Sequence, residues 1–490
     1  MPWHLRCDPT RLANDTLTQS EPLSPHVAAS ARELADHVRA GAVTSEALVS
    51  AHLARIAEVN PAINAVVCQR AEAALAEARA ADAALADGRD VGPLHGVPVT
   101  IKDSFDTMAL VSTGGTLGRK GFVPSSDATV VQRLKAAGAI VLGKTNTPEL
   151  TLAYEADNLI YGRTRNPYDL SRGTGGSSGG SAAIVAACGS PLDVGSDTAG
   201  SIRFPAHCCG VAGLKPTSGR VPRSGHIIGP AGLQQWLTVV GPIARRVEDL
   251  ELALRIIAGP DGIDPHIVPV PIGASADVGL RGLRAALFID TAVAHAAPEV
   301  RHAVTRAAQV LADAGVEVEA SAFPDFERAY EFFPQLFGAD GAAGLEGFLA
   351  FLGTRDVSPQ VQGAIALMRP HAIASPALND LMIAIDAWRA RALAFVRRFD
   401  LIICPAAAEV APLPVTDWMD PAVSWNAGVF PYLVPFNFTG APSVVVRVGA
   451  SASGLPIGVQ CVARPWREDV ALCAASHLES ALGGWQPPPL

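Results

Sequence analysis

Between Gly173 and Thr217 the chain runs GTGGSSGGSAAIVAACGSPLDVGSDTAGSIRFPAHCCGVAGLKPT, two serine-bearing loops set among glycines. Glycine suits a backbone that must take positive φ or present its N–H groups to a ligand without a side chain in the way. A row of free amides beside a serine is what a developing oxyanion needs, so acyl transfer is the chemistry to which this composition points. Competing readings of the same residues fail on their requirements. A Walker A loop needs Lys followed by Ser or Thr after its last glycine, and G-x-G-x-x-G should follow a strand in a βαβ unit. Gly175–Gly179 also satisfies the short G-x-S-x-G pattern, but an elbow serine needs a strand directly before it, and Asn166-Pro167-Tyr168-Asp169 reads as a turn. A flexible surface loop is disfavoured because an AAIVAAC run of helical character and a strand-like PLDV segment separate the serines.

The elements that must position these loops alternate in type. Ser30 and Glu33 fit a capping box, and Val49, Leu53 and Ile56 stripe a second helix that Asn60-Pro61 should stop. From His95 onward, short apolar runs alternate with amphipathic stretches: a strand at 97–101, a helix at 127–137, a strand at 140–142. The pattern continues with a strand at 285–289, a helix carrying Val300, Val304, Ala307 and Leu311 on one face, and strands at 316–320, 401–404, 443–448 and 456–462. Such alternation predicts an α/β fold with helices layered on a sheet. No repeat and no linker divides the chain, so residues 1–490 are read as one domain. Residues 325–380, rich in Phe and Gly, are read as a helical lid or pocket wall, with plain core-packing helices as the alternative.

Composition excludes several classes of partner. With 49% apolar residues and 17% charged ones the chain can bury a large core. A net charge of −9 without any dense Lys/Arg run gives no footprint for a polyanion, so nucleic acid is not expected. Met1–Asp8 carries charge where a secretory leader would be apolar, and no uncharged apolar run reaches about 18 residues; a soluble cytoplasmic protein is expected, with no membrane contact. The eight cysteines form no C-x-x-C pair and the twelve histidines no H-E-x-x-H, so the cysteines are read as small buried residues, with no metal and no cofactor expected.

The Gly173–Thr217 stretch resembles the signature of the amidase signature family, and GPLHGVPVTIKDSFD (92–106) resembles that family's lysine segment. SSDATVVQRLKAAGAIVLGKTNTPEL, GRTRNPYDLSRGTGG and GAPSVVVRVGASASGLPIGVQCVA extend the likeness over nearly the whole chain, with residues 86–222 as the signature core. The resemblance implies a layered α/β/α domain around a large mixed, mostly parallel sheet. It also implies a Ser-Ser-Lys triad: Ser201 as nucleophile, Ser177 as bridging serine on a cis peptide, Lys102 as base. The backbone amides of Thr198, Ala199, Gly200 and Ser201 would form the oxyanion hole, with Ser178, Asp197 and Arg203 in support. Many members have Gly where this chain has Ala199. Asp197 and Arg203 are expected to pair and brace the loop, and His207 to be a buried or bracing residue.

Physical chemistry agrees with that assignment. A serine hydroxyl is a poor nucleophile without a base, and a lysine near its ordinary pKa of about 10.4 is charged at neutral pH. Lys102 follows the apolar run Val97–Ile101, where burial would favour its neutral form. The expected activity is hydrolysis of carboxylic amides through an acyl-enzyme, with esters and carbamates as chemical neighbours. The alternative is the amidase subunit of a tRNA-dependent amidotransferase, disfavoured because the C-terminal third looks more like stand-alone amidases. Ile227, Ile228, Leu233, Trp236, Phe333 and Phe337 are expected to line an apolar pocket for a bulky or aromatic small molecule, in a monomer or homodimer, together with the loop at 152–158.

Overall fold

The computed structural model describes residues 25–490 apart from 90, 230, 231, 234, 322, 324 and 421–425. The expectations made on Met1–Asp8 and on Cys7 lie outside the described residues.

Thirteen strands are described: β1 Val66–Gln69, β2 Pro98–Lys102, β3 Ile140–Thr145, β4 Arg165–Asn166, β5 Asp169–Gly173, β6 Leu192–Asp197, β7 Ala212–Lys215, β8 Val239–Ala244, β9 Arg284–Leu287, β10 Glu317–Ala320, β11 Leu401–Pro405, β12 Ser443–Ala450 and β13 Pro456–Ala463. Eleven of them form one sheet in the order β1-β3-β2-β6-β8-β7-β12-β13-β11-β9-β10, while β4 and β5 pair separately. The sheet is mixed, as expected, but its parallel share is smaller than expected. Parallel pairing joins β3-β2-β6 on one flank and β11-β9-β10 on the other, and every pairing from β6 across to β11 is antiparallel. One reason is connection length: β12 and β13 are separated by only five residues, a hairpin rather than a crossover.

Helices cover both faces, and the strands read accordingly. On β13, Ile457, Val459 and Cys461 enter one core while Val462 enters the other. Leu401 and Ile403 of β11 oppose Ile402 and Cys404 in the same way. This period-two alternation puts apolar side chains into both layers. It also orients β2, where Val99 and Ile101 fill one core and so turn Lys102 toward the opposite face.

Ser30 and Glu33 make the expected capping box. The second helix does not stop at Asn60-Pro61 but runs Ser45–Ile63. Proline costs a helix one donor, and one turn from the end that loss is small. Asn60 then closes the terminus, its Oδ1 accepting the amides of Ala65 and Val66 at 2.8 Å each. Among the described residues no helix is long and apolar enough to cross a membrane.

Candidate active site

Parallel strands β2 and β6 end side by side, Ile101 standing opposite Val194, so their C-terminal ends deliver Lys102 and the Ser196–Ser201 turn to one place. Lys102 is fully buried. Its Nζ lies 2.6 Å from Ser177 Oγ and 3.0 Å from Ser196 Oγ. Burial holds its pKa down at about 7, with Asp193 and Asp197 pulling weakly the other way.

Ser177 sits on a loop closed between β5 and helix Gly179–Ala186, and the Gly176–Ser177 peptide is cis. A side chain on Gly176 would strike the backbone of Tyr154 and Glu155 at 2.5 Å, which requires glycine there. The two serine loops are stapled together: Ser178 N–H donates to Ser201 O at 3.1 Å, and Ser178 Oγ donates to Ser196 O at 3.3 Å.

The Ser201 turn is held from below by Asp197 and Arg203, both fully buried and paired at 2.9 Å. Asp197 Oδ1 accepts Gly200 N–H at 2.8 Å and Asn437 Nδ2 at 3.0 Å, and Oδ2 accepts Ile202 N–H at 3.1 Å. Burial would raise this carboxyl, but the Arg203 guanidinium and these donors hold it well below the usual carboxylate range. Arg203 is satisfied in turn by Leu433 O, Gln460 Oε1 and Asn437 Oδ1. The pair braces the turn, and it changes one expectation: the Gly200 amide is taken up by Asp197 rather than open to a ligand. The amides of Thr198, Ala199 and Ser201 donate to no protein acceptor among the described residues. His207 is buried between Gly458 and Glu409, accepting Gly458 N–H at Nδ1 and standing 3.0 Å from Glu409 O at Nε2.

Thr198–Ser201 form the floor of a cavity enclosing about 900 Å³, open mouth included. Tyr154, Phe204, Ile228, Phe333, Phe337 and Trp418 are prominent in its wall. Phe333 and Phe337 come from helix Glu327–Phe337, and Gln360, Ala364, Leu367 and Met368 from helix Pro359–Met368. No charged side chain lines the cavity among the described residues.

Three residues expected in this wall lie elsewhere. Ile227 is buried, its Cδ1 packed where a side chain on Gly114 would have to be. Leu233 is exposed. Trp236 stacks edge-on against Phe438 and lies under Arg389, 4.7 Å from its Cζ. Nothing in the sequence marks Ser196, which touches Lys102, or His226, whose Nε2 lies 3.0 Å from Ser196 Oγ. A lone histidine in a Gly/Ile loop has no motif to announce it.

Comparison with known proteins places this geometry. The Amidase family profile matches residues 47–472. A glutamyl-tRNA(Gln) amidotransferase subunit of Acidothermus cellulolyticus is 35% identical over 487 residues, covering 94% of this chain and 95% of that protein. Indoleacetamide hydrolase of Bradyrhizobium diazoefficiens is also 35% identical, over 466 residues, covering 93% and 86%. Among solved structures, 6-aminohexanoate cyclic dimer hydrolase complexed with substrate superposes with a TM-score of 0.82 at 30% identity, covering 93% of this chain and 97% of that one. The chain belongs to the amidase signature family.

Proposed function

We propose that this protein hydrolyses carboxylic amides through an acyl-enzyme on Ser201, with Ser177 relaying protons to Lys102. The observation that carries this reading is the 2.6 Å contact between Ser177 Oγ and a buried Lys102 whose pKa burial lowers to about 7, next to the pocket floor that bears Ser201. In the proposed cycle Ser201 Oγ attacks the carbonyl carbon and its proton passes through Ser177 to Lys102. The Ser177 and Ser201 hydroxyls are not hydrogen-bonded to each other here, and the transfer needs Ser201 Oγ to turn onto Ser177 as substrate binds, a tightening common to catalytic contacts. The amides of Thr198, Ala199 and Ser201 take the oxyanion. Lys102 returns the proton through Ser177 to the leaving nitrogen, the C–N bond breaks, and water hydrolyses the acyl-enzyme by the same route. Esters and carbamates fit the same chemistry.

Whole-chain identity does not separate a stand-alone hydrolase from a component of an amidotransferase, since both kinds of relative match at 35%. The pocket favours the hydrolase. Free glutamine would bring an ammonium and a carboxylate, each costly to bury without a partner charge, into a cavity whose described lining is uncharged and largely apolar. An arylalkyl amide of one or two rings is the substrate class this supports.

The test is a panel of indole-3-acetamide, phenylacetanilide, hexanamide, L-glutamine and an aryl carbamate against purified protein. Turnover of the aryl amides with little ammonia from glutamine is expected. Efficient glutamine hydrolysis, or activity only with added partner proteins and ATP, would overturn the reading.

A further inference from the structure

His226 belongs to no motif, yet it is held on all sides at the back of Lys102. It is 5% exposed, and its backbone is pinned to the chain that follows β2. Gly225 O accepts Asp106 N–H and Ile227 N–H donates to Ser104 O, both at 2.8 Å. The Phe105 ring packs edge-on against the imidazole at 4.8 Å between centroids. The ring therefore has one orientation, with Nε2 3.0 Å from Ser196 Oγ and Nδ1 3.1 Å from both the carbonyl and the amide of Ile228.

Counting hydrogens shows what this contact decides. Neutral Lys102 has two N–H groups and one lone pair. The lone pair must face the Ser177 hydroxyl if Lys102 is to act as a base, and one N–H then goes to Ser196 Oγ, 3.0 Å away. Ser196 has a single hydroxyl hydrogen, and two acceptors stand within reach: the Lys102 lone pair and His226 Nε2. If His226 carries its proton on Nε2, Ser196 is left to donate to Lys102 and competes with Ser177 for the same lone pair. If the proton sits on Nδ1, facing Ile228 O, then Nε2 accepts from Ser196 and Lys102, Ser196 and His226 are satisfied in one direction, while the Ile228 N–H gives up the Nδ1 acceptor that the other tautomer would offer it.

We propose that His226, protonated on Nδ1, is a positioning residue that takes the Ser196 hydrogen and so reserves the Lys102 lone pair for Ser177. The inference rests on the Ser-Ser-Lys reading above. It requires a neutral imidazole, and the surroundings enforce one: burial first and the neighbouring Lys102 second hold the His226 pKa at about 3, with Arg223 and Lys144 adding to the effect. Asp193 and Asp197 are the carboxylates that act on the lysine end of the chain.

The test follows phosphonylation of Ser201 by an alkyl fluorophosphonate, read by mass spectrometry from pH 5.5 to 9.5. The Ser201 Oγ–P bond forms, fluoride leaves, and the serine proton goes through Ser177 to Lys102, so base function is read without any natural substrate. His226→Leu should slow the plateau rate by about 10-fold and move the acid limb to lower pH, because the Ser196 hydroxyl then caps the lone pair. His226→Gln, whose Oε1 can accept from Ser196, should recover to within about 3-fold of wild type. In a Ser196→Ala background His226→Leu should change the rate by less than about 2-fold, since the residue acts only through Ser196. Equal losses in both backgrounds, or wild-type labelling in His226→Leu, would overturn the proposal. Should His226→Leu not fold, the ¹⁵N resonances of His226, assigned by difference from His226→Gln, decide: a protonated Nδ1 supports the proposal and a protonated Nε2 overturns it. Absence of Ser201 labelling in the wild type, or full labelling in Lys102→Met, would sink the triad reading itself and this inference with it.

Discussion

The rate of amide hydrolysis should follow the titration of Lys102, and the structure sets where that titration falls. A lysine at its ordinary pKa of about 10.4 is neutral in roughly 0.04% of molecules at pH 7. Burial with only Ser177 and Ser196 as direct partners brings Lys102 to about 7, where half the molecules hold the free base. The neutral share is then about 9% at pH 6 and about 91% at pH 8, so kcat/KM should rise roughly 10-fold across that interval and level off above it. The assay is kcat/KM on an anilide from pH 5.5 to 9.5, with solvent viscosity varied to confirm that chemistry limits the rate. His226 should leave no mark in this window, since burial beside Lys102 keeps its titration near 3. A flat profile, or a rise still unfinished at pH 9.5, would refute the claim that a desolvated Lys102 is the base. So would a Lys102→Met variant that kept the same limb.

Ser201→Ala should abolish turnover while leaving the melting temperature within a few degrees of wild type, because the amides of Thr198 and Ala199 belong to the backbone; more than a few per cent residual activity would contradict the nucleophile. Lys102→Ala should cost an anilide on the order of 10-fold more in kcat/KM than the nitrophenyl ester of the same acid, since an amine must be protonated to leave and nitrophenolate need not be; equal losses would mean that the leaving group takes its proton elsewhere. Gly200→Ala should lower kcat/KM by about 100-fold or more and destabilise the fold by roughly 1–3 kcal/mol, because Gly200 has φ +116° and an added Cβ would stand 2.2 Å from Leu433 Cδ1; activity assays and thermal melts check both. Lys102→Met should stabilise the protein most at low pH. The folded pKa lies below the unfolded one, so the penalty for burying the charge is full below about pH 7 and is relieved as pH rises toward 10.5; the gain in denaturant melts should be ~1–3 kcal/mol at pH 6 and shrink by pH 9.

How far the site was legible in the sequence depended on whether a residue acts within its own segment or across segments. Lys102, Ser177 and Ser201 sit in long local patterns of glycine, serine and apolar strand, and the structure brings Lys102 against Ser177 at the parallel edge where β2 meets β6. The alternation of strands and helices was readable because each apolar run spans one element, and even the helix that passes Pro61 misled only by a single turn. What the sequence could not carry was anything decided by pairing. The antiparallel run through the middle of the sheet depends on which strands become neighbours, which periodicity does not encode. The Gly200 amide looked free until Asp197 Oδ1 was found beneath it. Ile227 and Ile228 are indistinguishable by composition, and only the bends of the folded chain after His226 send one into the core and the other into the pocket. His226 is the extreme case. It lies thirty residues beyond Ser196 and far beyond Lys102 in the chain, and its role exists only because the bridge to Phe105 folds that segment behind the lysine. Chemistry that local spacing writes into a motif can be read in advance, whereas the groups that set the direction of proton flow through it become visible only when the strands that carry them are side by side.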